Sequence, residues 1–557
     1  MKSNFRSSLV LFLLAIAAIG LGHLAFLPPW EGFDEPAHYS YTQQLAETGH
    51  RPHYGVDKLS RIVESYGNNA PNAYGNRPPF EKTGNLTYRE FRDAPKSAKS
   101  ELHRQPKKPR TFKQGRTLNW QSQHPPLYYL SQAPIYLLTK HLSWVDHILA
   151  LRVVSFAFAF IGFACGIWAT WHFWPAIEQK LAASHPATSA VPVVMATWPL
   201  FAAMFFPEMA RMGNDSLCLL LMGPLWALAL KICFAESGFW DYAGVGILLG
   251  LGGLTKALFL PIGFGFFLFL TARVLLPPQA GAGHADRRRI LMNLAMAGLI
   301  AVSICGWWYF TKLFTQGSFV GSDEFIRLSH QGGLIEGLRE HFSLLALARG
   351  MASMVASIFW PGTWSLARLP EGMLAGPVAL FLILMGAYFW GQRRTPIGSV
   401  TWLPVYLVAP TVLGLMYHIL VRLAFDGRGI GTPGWYLHIL SVPLAFAAAL
   451  GLAVIWRSKL LRWLVSGLAA YSLGYALLSF WFQLLLFSGC AFKAGTNKTY
   501  QLPHDHSCLW DWSGLTEQLG YLGYPNVGFA TLLLGWALAA VGGMVALRRA
   551  RSARSTL

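Results

Sequence analysis

HPPLYYLSQAPIYLLTKHL, His124–Leu142, is apolar and almost long enough to cross a bilayer. Whether it does so decides which side of the membrane everything after it faces. A second stretch, LALARGMASMVASIFWPGTW (Leu345–Trp364), poses the same question. The rest of the chain arbitrates. Its 557 residues are 54% hydrophobic and 13% charged, with a mean hydropathy of +0.37. Soluble domains carry about 25% charged residues, so most of this chain belongs in lipid. Clear spans fall near 9–27, 148–174, 187–206, 216–234, 240–255, 258–276, 290–312, 373–391, 399–421, 435–455, 461–486 and 527–547. With the N-terminus inside, HADRRR (284–289), GQRRTP (391–396), RSKLLR (457–462) and the tail RRARSARSTL all face the cytoplasm, as the positive-inside rule requires. If one of the two stretches spanned, every later basic block would flip outward. If both did, HADRRR would lie outside. The expectation is therefore an all-α polytopic membrane protein of about 12 transmembrane helices, with both termini cytoplasmic. The two stretches become interfacial or re-entrant helices on the outer side. Pro125–Pro126 in the first, and Arg349 with the Pro361–Gly362 break in the second, argue the same way.

The N-terminal basic head and apolar run resemble a signal peptide. The run is about 19 residues long, enough to span, lacks a convincing A-x-A cleavage site and is followed by many more spans, so it reads as a retained helix. The formal charge of +19 sits largely in short blocks between apolar runs, which is a topology signal and argues against nucleic acid. The outer side receives the large loops: 28–147, then 313–372 and 487–526. Residues 89–116 hold ten Lys/Arg against three Asp/Glu. They are either a solvated excursion or a contact with anionic lipid phosphates. Cys490 and Cys508 share the last outer loop, where a disulfide requires an oxidising compartment; the other four Cys lie in apolar runs. Asn85-Leu-Thr and Asn497-Lys-Thr fit glycosylation acceptors. No P-loop, Rossmann fingerprint or His-x-x-x-His motif stands out.

The first outer loop opens with EGFDEPAHYSYTQQLAETGH, Glu31–His50. Pro36 favours the first turn of a helix, Asp34 or Glu35 can cap it, and Gly49 can stop it. Asp34 and His38, four apart, share one face, and Tyr41 and Leu45 continue a stripe suited to the membrane surface. Spacing alone leaves the two carboxylates balanced between caps and a site. Asp215, in ARMGNDSL, also suits a helix start. Lys256, in GGLTKALF, also suits a lysine snorkelling to water. Trp360, Trp364 and Trp435 suit either sugar stacking or interfacial anchoring.

FDEPAHYSYTQQLAETG, QHPPLYYL, ALRVVSFAFAF, PEMARMGNDSL, LGLGGLTKALFLP, WWYFTKLFTQGSFVG, ASIFWPGTW and PGWYLHILSVPLA follow one another across roughly residues 10–450. In that order the chain resembles the C-type (GT-C) glycosyltransferases, polytopic enzymes that use polyprenyl-phosphate-linked sugars. More closely, it resembles a bacterial family of predicted membrane proteins within that superfamily. The resemblance implies that residues 1–480 form the transmembrane catalytic module, with 28–147 as a large periplasmic loop carrying juxtamembrane helices. Residues 481–557 would supply the last outer loop and the C-terminal helices. It implies a hexosyl- or pentosyltransferase in the bacterial inner membrane, moving sugar from a polyprenyl-phosphate donor to a lipid, glycan or protein acceptor with inversion at the anomeric carbon. Asp34 matches the acidic residue that serves as base or organises the acceptor, with Glu35 as partner and Asp215 as the second acidic position. Lys256, Arg211, Arg428, His38 and His124 become phosphate- and substrate-binding candidates, although His124 stands where some relatives carry Lys. Carboxylates and phosphate suit hard cations, so a divalent ion bridging Asp34, Asp215 and phosphate is one option. Several relatives work without one, and no cofactor is assigned. The competing readings are a polysaccharide polymerase or ligase, which needs a diphosphate donor, and a transporter or flippase, which calls for charges in mid-span. Neither the sugar nor the acceptor is legible.

Overall fold

The structure, a computed structural model, describes residues 2–72, 86–105, 111–181, 190–276, 284–320, 326, 328, 332–393, 395–493, 499–504 and 507–555. The two Asn-x-Thr asparagines and part of the basic stretch, 106–110, lie outside them. Lipid offers no partner to backbone N–H and C=O groups, so a spanning segment must satisfy them within itself, as a helix does. The regular structure of the described residues is accordingly helical apart from one short antiparallel ribbon, Lys58–Ser60 with Gln114–Leu118, and isolated bridges. Nine of the helices are long and apolar enough to cross a membrane: Phe5–Phe26, Trp144–Gln179, Asp215–Phe234, Arg287–Gln316, Glu371–Gln392, Val400–Asp426, Gly434–Ile455, Lys459–Phe487 and Pro525–Arg549. The chain is a multi-pass, all-α membrane protein.

The other three expected spans are helical but shorter. Phe239–Gly253 and Phe259–Leu275 form an adjacent pair. The segment expected at 187–206 is not one helix. It breaks into Val191–Ala196, Trp198–Phe201 and Phe205–Ala210. Pro199 and Pro207 each remove a backbone donor and crowd the preceding turn, which places the two breaks before them, a pattern the hydropathy average hides. The two arbitrating stretches become Leu127–Thr139 and Leu344–Ser357, of 13 and 14 residues. At about 1.5 Å per residue each is roughly 20 Å long, too short for a hydrocarbon core of about 30 Å.

The bundle is built around Gly434–Ile455, whose apolar window is 89% buried, against 17% for Glu371–Gln392 at the periphery. Trp144–Leu181 packs along Asp215–Phe234. A Cβ on Gly162 would lie 2.0 Å from the Leu219 carbonyl oxygen, and one on Gly223 2.0 Å from that of Gly162. Small residues let the two backbones close without a hydrophobic driving force. This contact sets Asp215, at the end of its helix, beside the first loop. The last helix, Pro525–Ser555, lies along the first, Lys2–Phe26.

One end of the bundle carries the long loops, opposite the basic segments near 284–289, 391–396 and 457–462. Glu31 ties the loops together. Its carboxylate accepts from Tyr88 Oη (2.7 Å), Thr363 Oγ1 (2.9 Å) and Ser365 N (3.1 Å), and its carbonyl accepts from Trp364 N (2.8 Å). Part of the basic stretch touches the last loop: helix Lys96–Arg104 meets it through Lys96–Glu517 (2.8 Å) and through Lys99 Nζ to Gln518 Oε1 (3.3 Å), and Arg92 of helix Tyr88–Asp93 lies 3.9 Å from Asp511. In that last loop Cys490 and Cys508 are joined by a disulfide.

Candidate active site

Helix Glu35–Thr48 begins just after the first span. It ends at Gly49, whose φ of 71° suits glycine and whose N–H bonds Leu45 O at 3.0 Å. Its stripe does not rest on the membrane surface as the sequence pattern suggested. Residues 35–44 are all buried, and Tyr41 stacks on Tyr129 of helix Leu127–Thr139 with centroids 3.5 Å apart. The second short helix covers the first, which spacing within the first could not reveal.

The two carboxylates at its start have different surroundings. Asp34 is the N-cap residue, but its side chain makes no capping bond. With φ 60° and ψ 6° it sits in the left-handed region, which a short polar side chain tolerates better than most. That conformation turns the carboxylate away from the helix start, and Oδ1 accepts from Trp120 Nε1 at 2.8 Å. Asp34 stays partly exposed. Glu35 is fully buried and clamped. Arg152 Nε and Nη2 reach Oε1 and Oε2 at 2.7 and 2.5 Å, Met212 N donates to Oε1 (3.0 Å) and Gly32 N to Oε2 (3.2 Å). Arg152 also donates to the carbonyls of Leu27 (2.5 Å) and Pro28 (2.8 Å). Glu35 therefore locks the loop entry to two other segments and has no face left for a substrate.

Next to them lies a buried charge cluster. Arg211 pairs with Glu208, reaches Asp215 Oδ2 at 3.2 Å and donates to Phe33 O at 2.9 Å. Lys256 Nζ meets both Asp215 oxygens at 2.8 Å and lies 3.9 Å from the centroid of the Tyr436 ring. Glu208, Arg211 and Asp215 are each at most 2% exposed. The broken segment supplies Glu208 and the following turn Arg211. The next helix start supplies Asp215, and the turn between the paired shorter spans supplies Lys256. Irregular backbone at membrane depth is tolerated where it is buried in protein or lines a cavity.

Burial pushes the Asp34 carboxyl above its ordinary value, against the opposing pull of Arg211, the Trp120 bond and Lys256. His38 shares a hydrogen bond with Tyr129 Oη through Nδ1 (3.0 Å) and stacks near His124 at 6.3 Å. Burial holds His38 well below its usual range and His124 down to about 3, so both are neutral. Around Asp34 stand the partly exposed Trp120, Trp360, Trp364 and Trp435 and the buried Phe33. Trp120 lies parallel to Trp364 at 6.5 Å, and Phe33 stacks on Trp435 at 4.6 Å and meets Trp360 at 6.1 Å.

Of the residues singled out in the sequence, Asp34, Glu35, His38, His124, Arg211, Asp215 and Lys256 thus converge. Arg428 does not. It is exposed on the turn after helix Leu403–Asp426, where its N–H bonds Asp426 Oδ1, and no hydrogen bond or ion pair among the described residues links it to the cluster. An ion bridging Asp34, Asp215 and phosphate would have to compete with cations for Asp215. Both Asp215 oxygens already face cations, and no group of three or more His, Cys, Asp or Glu among the described residues is arranged to hold an ion. Sequence reasoning missed Arg152, Glu208, Trp120 and Tyr436. Two signals were available: an arginine inside an apolar span demands a partner, and Glu208, Arg211 and Asp215 are spaced to share a helical face.

No protein-family model matches the chain, and no curated protein matches it significantly. Among solved structures it is similar to ArnT from Cupriavidus metallidurans in the apo state, at 12% identity over 95% of this chain and 77% of that one, with a TM-score of 0.41. It is similar also to the Archaeoglobus fulgidus oligosaccharyltransferase tethered with an acceptor peptide, at 14% identity, with a TM-score of 0.36. The match takes in 95% of this chain and 55% of that one. Likeness at these values carries no argument about activity.

Proposed function

We propose that the chain is a membrane glycosyltransferase that moves a sugar from a polyprenyl-phosphate donor to an acceptor hydroxyl at the periplasmic face of a bacterial inner membrane. The observation that carries the reading is Asp34. Within the charge cluster it is a carboxylate turned out of its helix by a left-handed backbone, bonded to one indole N–H and still partly open, while Glu35, Glu208 and Asp215 are each held by cations. A sugar phosphate on a prenyl chain stays in the membrane, so its chemistry belongs at an interface of this kind.

In this reading Asp34 takes the proton of the acceptor hydroxyl as its oxygen attacks the sugar's anomeric carbon. The bond from that carbon to the phosphate oxygen breaks, its electron pair leaves with the phosphate, and attack from the opposite side inverts configuration. A carboxylate held above its ordinary range is better matched to that task near neutral pH. Arg211 and Lys256 place positive charge beside Asp34, which favours its ionised form against the rise that burial imposes. The aromatic rim offers flat faces to a sugar. Basic segments at the opposite end support a topology with both termini in the cytoplasm and this end outside. The test is transfer from polyprenyl-phosphate sugars to membrane acceptors by wild type and Asp34→Asn. Full turnover by a folded D34N protein would remove the base and with it this reading.

A further inference from the structure

Arg51, just after helix Glu35–Thr48, and Lys312, near the end of helix His284–Gln316, converge on one indole. The Arg51 guanidinium lies 4.7 Å from the Trp308 ring centroid and the Lys312 ammonium 5.2 Å from it, with Tyr54 at 5.9 Å from Lys312. Trp308 and Lys312 are buried, while Arg51 and Tyr54 are partly exposed. Lys312 Nζ donates to the Gln123 carbonyl at 2.7 Å. Neither cation has a carboxylate partner among the described residues, in contrast to Arg152, Arg211 and Lys256. A ring face attracts a cation, but two like charges over one ring repel each other, and a buried ion without a counter-charge is costly. Lys312 lies near the end of a spanning helix, and a buried charge on such a helix is a candidate ligand contact.

The position is also informative. Gln123 precedes His124, which stacks toward His38, four residues from Asp34. Trp308 packs in a cluster with Leu254 and Ala257, which flank the Lys256 turn. The unneutralised pair thus stands across His124 from Asp34. From this we infer that Arg51 and Lys312, with Trp308 as their floor, bind the phosphate headgroup of a lipid. Resting on the transferase reading, the inference assigns the lipid phosphate to these two residues rather than to Arg211 and Lys256, whose charge Glu208 and Asp215 already meet.

The test is binding of polyprenyl monophosphate without sugar to the full chain in detergent micelles, by titration and by thermal shift. Each of Arg51→Gln and Lys312→Gln should weaken binding about tenfold, and the double variant about a hundredfold, as expected for charge-assisted bonds to phosphate. Polyprenol, which lacks the phosphate, should bind all variants alike. Inorganic phosphate at the same concentration should give no shift; a shift equal to that of the lipid would overturn the headgroup assignment. K312Q should melt no lower than wild type, since it removes an unpaired buried charge. Unchanged polyprenyl-phosphate affinity in the folded double variant would overturn the site. D34N should bind the lipid phosphate normally. Lost turnover in D34N with intact binding in R51Q/K312Q would reject this site and leave the transferase standing. Full turnover in D34N with lost binding in R51Q/K312Q would do the reverse.

Discussion

Glu35 and Arg152 allow the sharpest quantitative test of how the loop entry is held. Their side chains are 0% and 2% exposed and joined at 2.5 Å. Arg152→Met removes both bonds to Glu35 and those to the Leu27 and Pro28 carbonyls. A buried carboxylate remains with only the Gly32 and Met212 N–H groups. Removing one partner of such a pair costs about 3–5 kcal/mol, and Glu35→Met should cost about the same by stranding the guanidinium. The double variant strands no charge. Its remaining cost is the unmet backbone groups, about 1–3 kcal/mol each where water cannot reach. Residues in direct contact couple by about 0.5–3 kcal/mol, and the double variant should fall short of the sum of the singles by an amount in that range. Denaturant titration of the four proteins in micelles, followed by tryptophan fluorescence, measures the cycle. If R152M unfolds within about 1 kcal/mol of wild type, or if the singles add to within about 0.5 kcal/mol, the clamp is not what holds this turn.

Asp34→Asn should behave oppositely: burial raises the folded pKa above the unfolded one, so ionisation costs stability as pH rises past the unfolded value. At pH 7 the neutral variant should be as stable as wild type or more so, while turnover falls about 10²–10⁴-fold; a marked loss of stability would refute the burial argument. Wild-type turnover should decline with acidification through a pKa above the ordinary aspartate range, because the base is lost on protonation, and a pH–rate profile flat to pH 4 would contradict it. Replacing Cys490 and Cys508 with Ser opens a bridge between residues 18 apart in sequence and should cost about 3 kcal/mol, seen as a lower melting temperature; an unchanged melt would exclude a stabilising bridge. A cysteine placed at position 393 should be labelled only after the membrane is permeabilised, and labelling in intact cells would invert the proposed topology.

How much of this was legible beforehand follows from the range of the interactions. Hydropathy and its punctuation are local. They determined the all-α, multi-pass character, the shortness of 124–142 and 345–364, and the helix that starts at Asp34 and stops at Gly49. They misplaced what depends on a second segment. The span at 187–206 is broken by prolines whose averaged hydropathy is high. The stripe on helix Glu35–Thr48 is covered by Leu127–Thr139.

The site divides the same way. Sequence alone nominated Asp34, Glu35, Asp215, Lys256 and Arg211 by residue type and position, and left each balanced against a cap or an interface charge. Tertiary structure decided their separate states. Glu35 is neutralised by Arg152, 117 residues away, and Asp215 by Lys256, 41 away. Asp34 stays open because a left-handed backbone turns it toward Trp120, 86 away. Whether a carboxylate is a clamp or a base is settled by which charges reach it in three dimensions, and the spacing along the chain does not encode that.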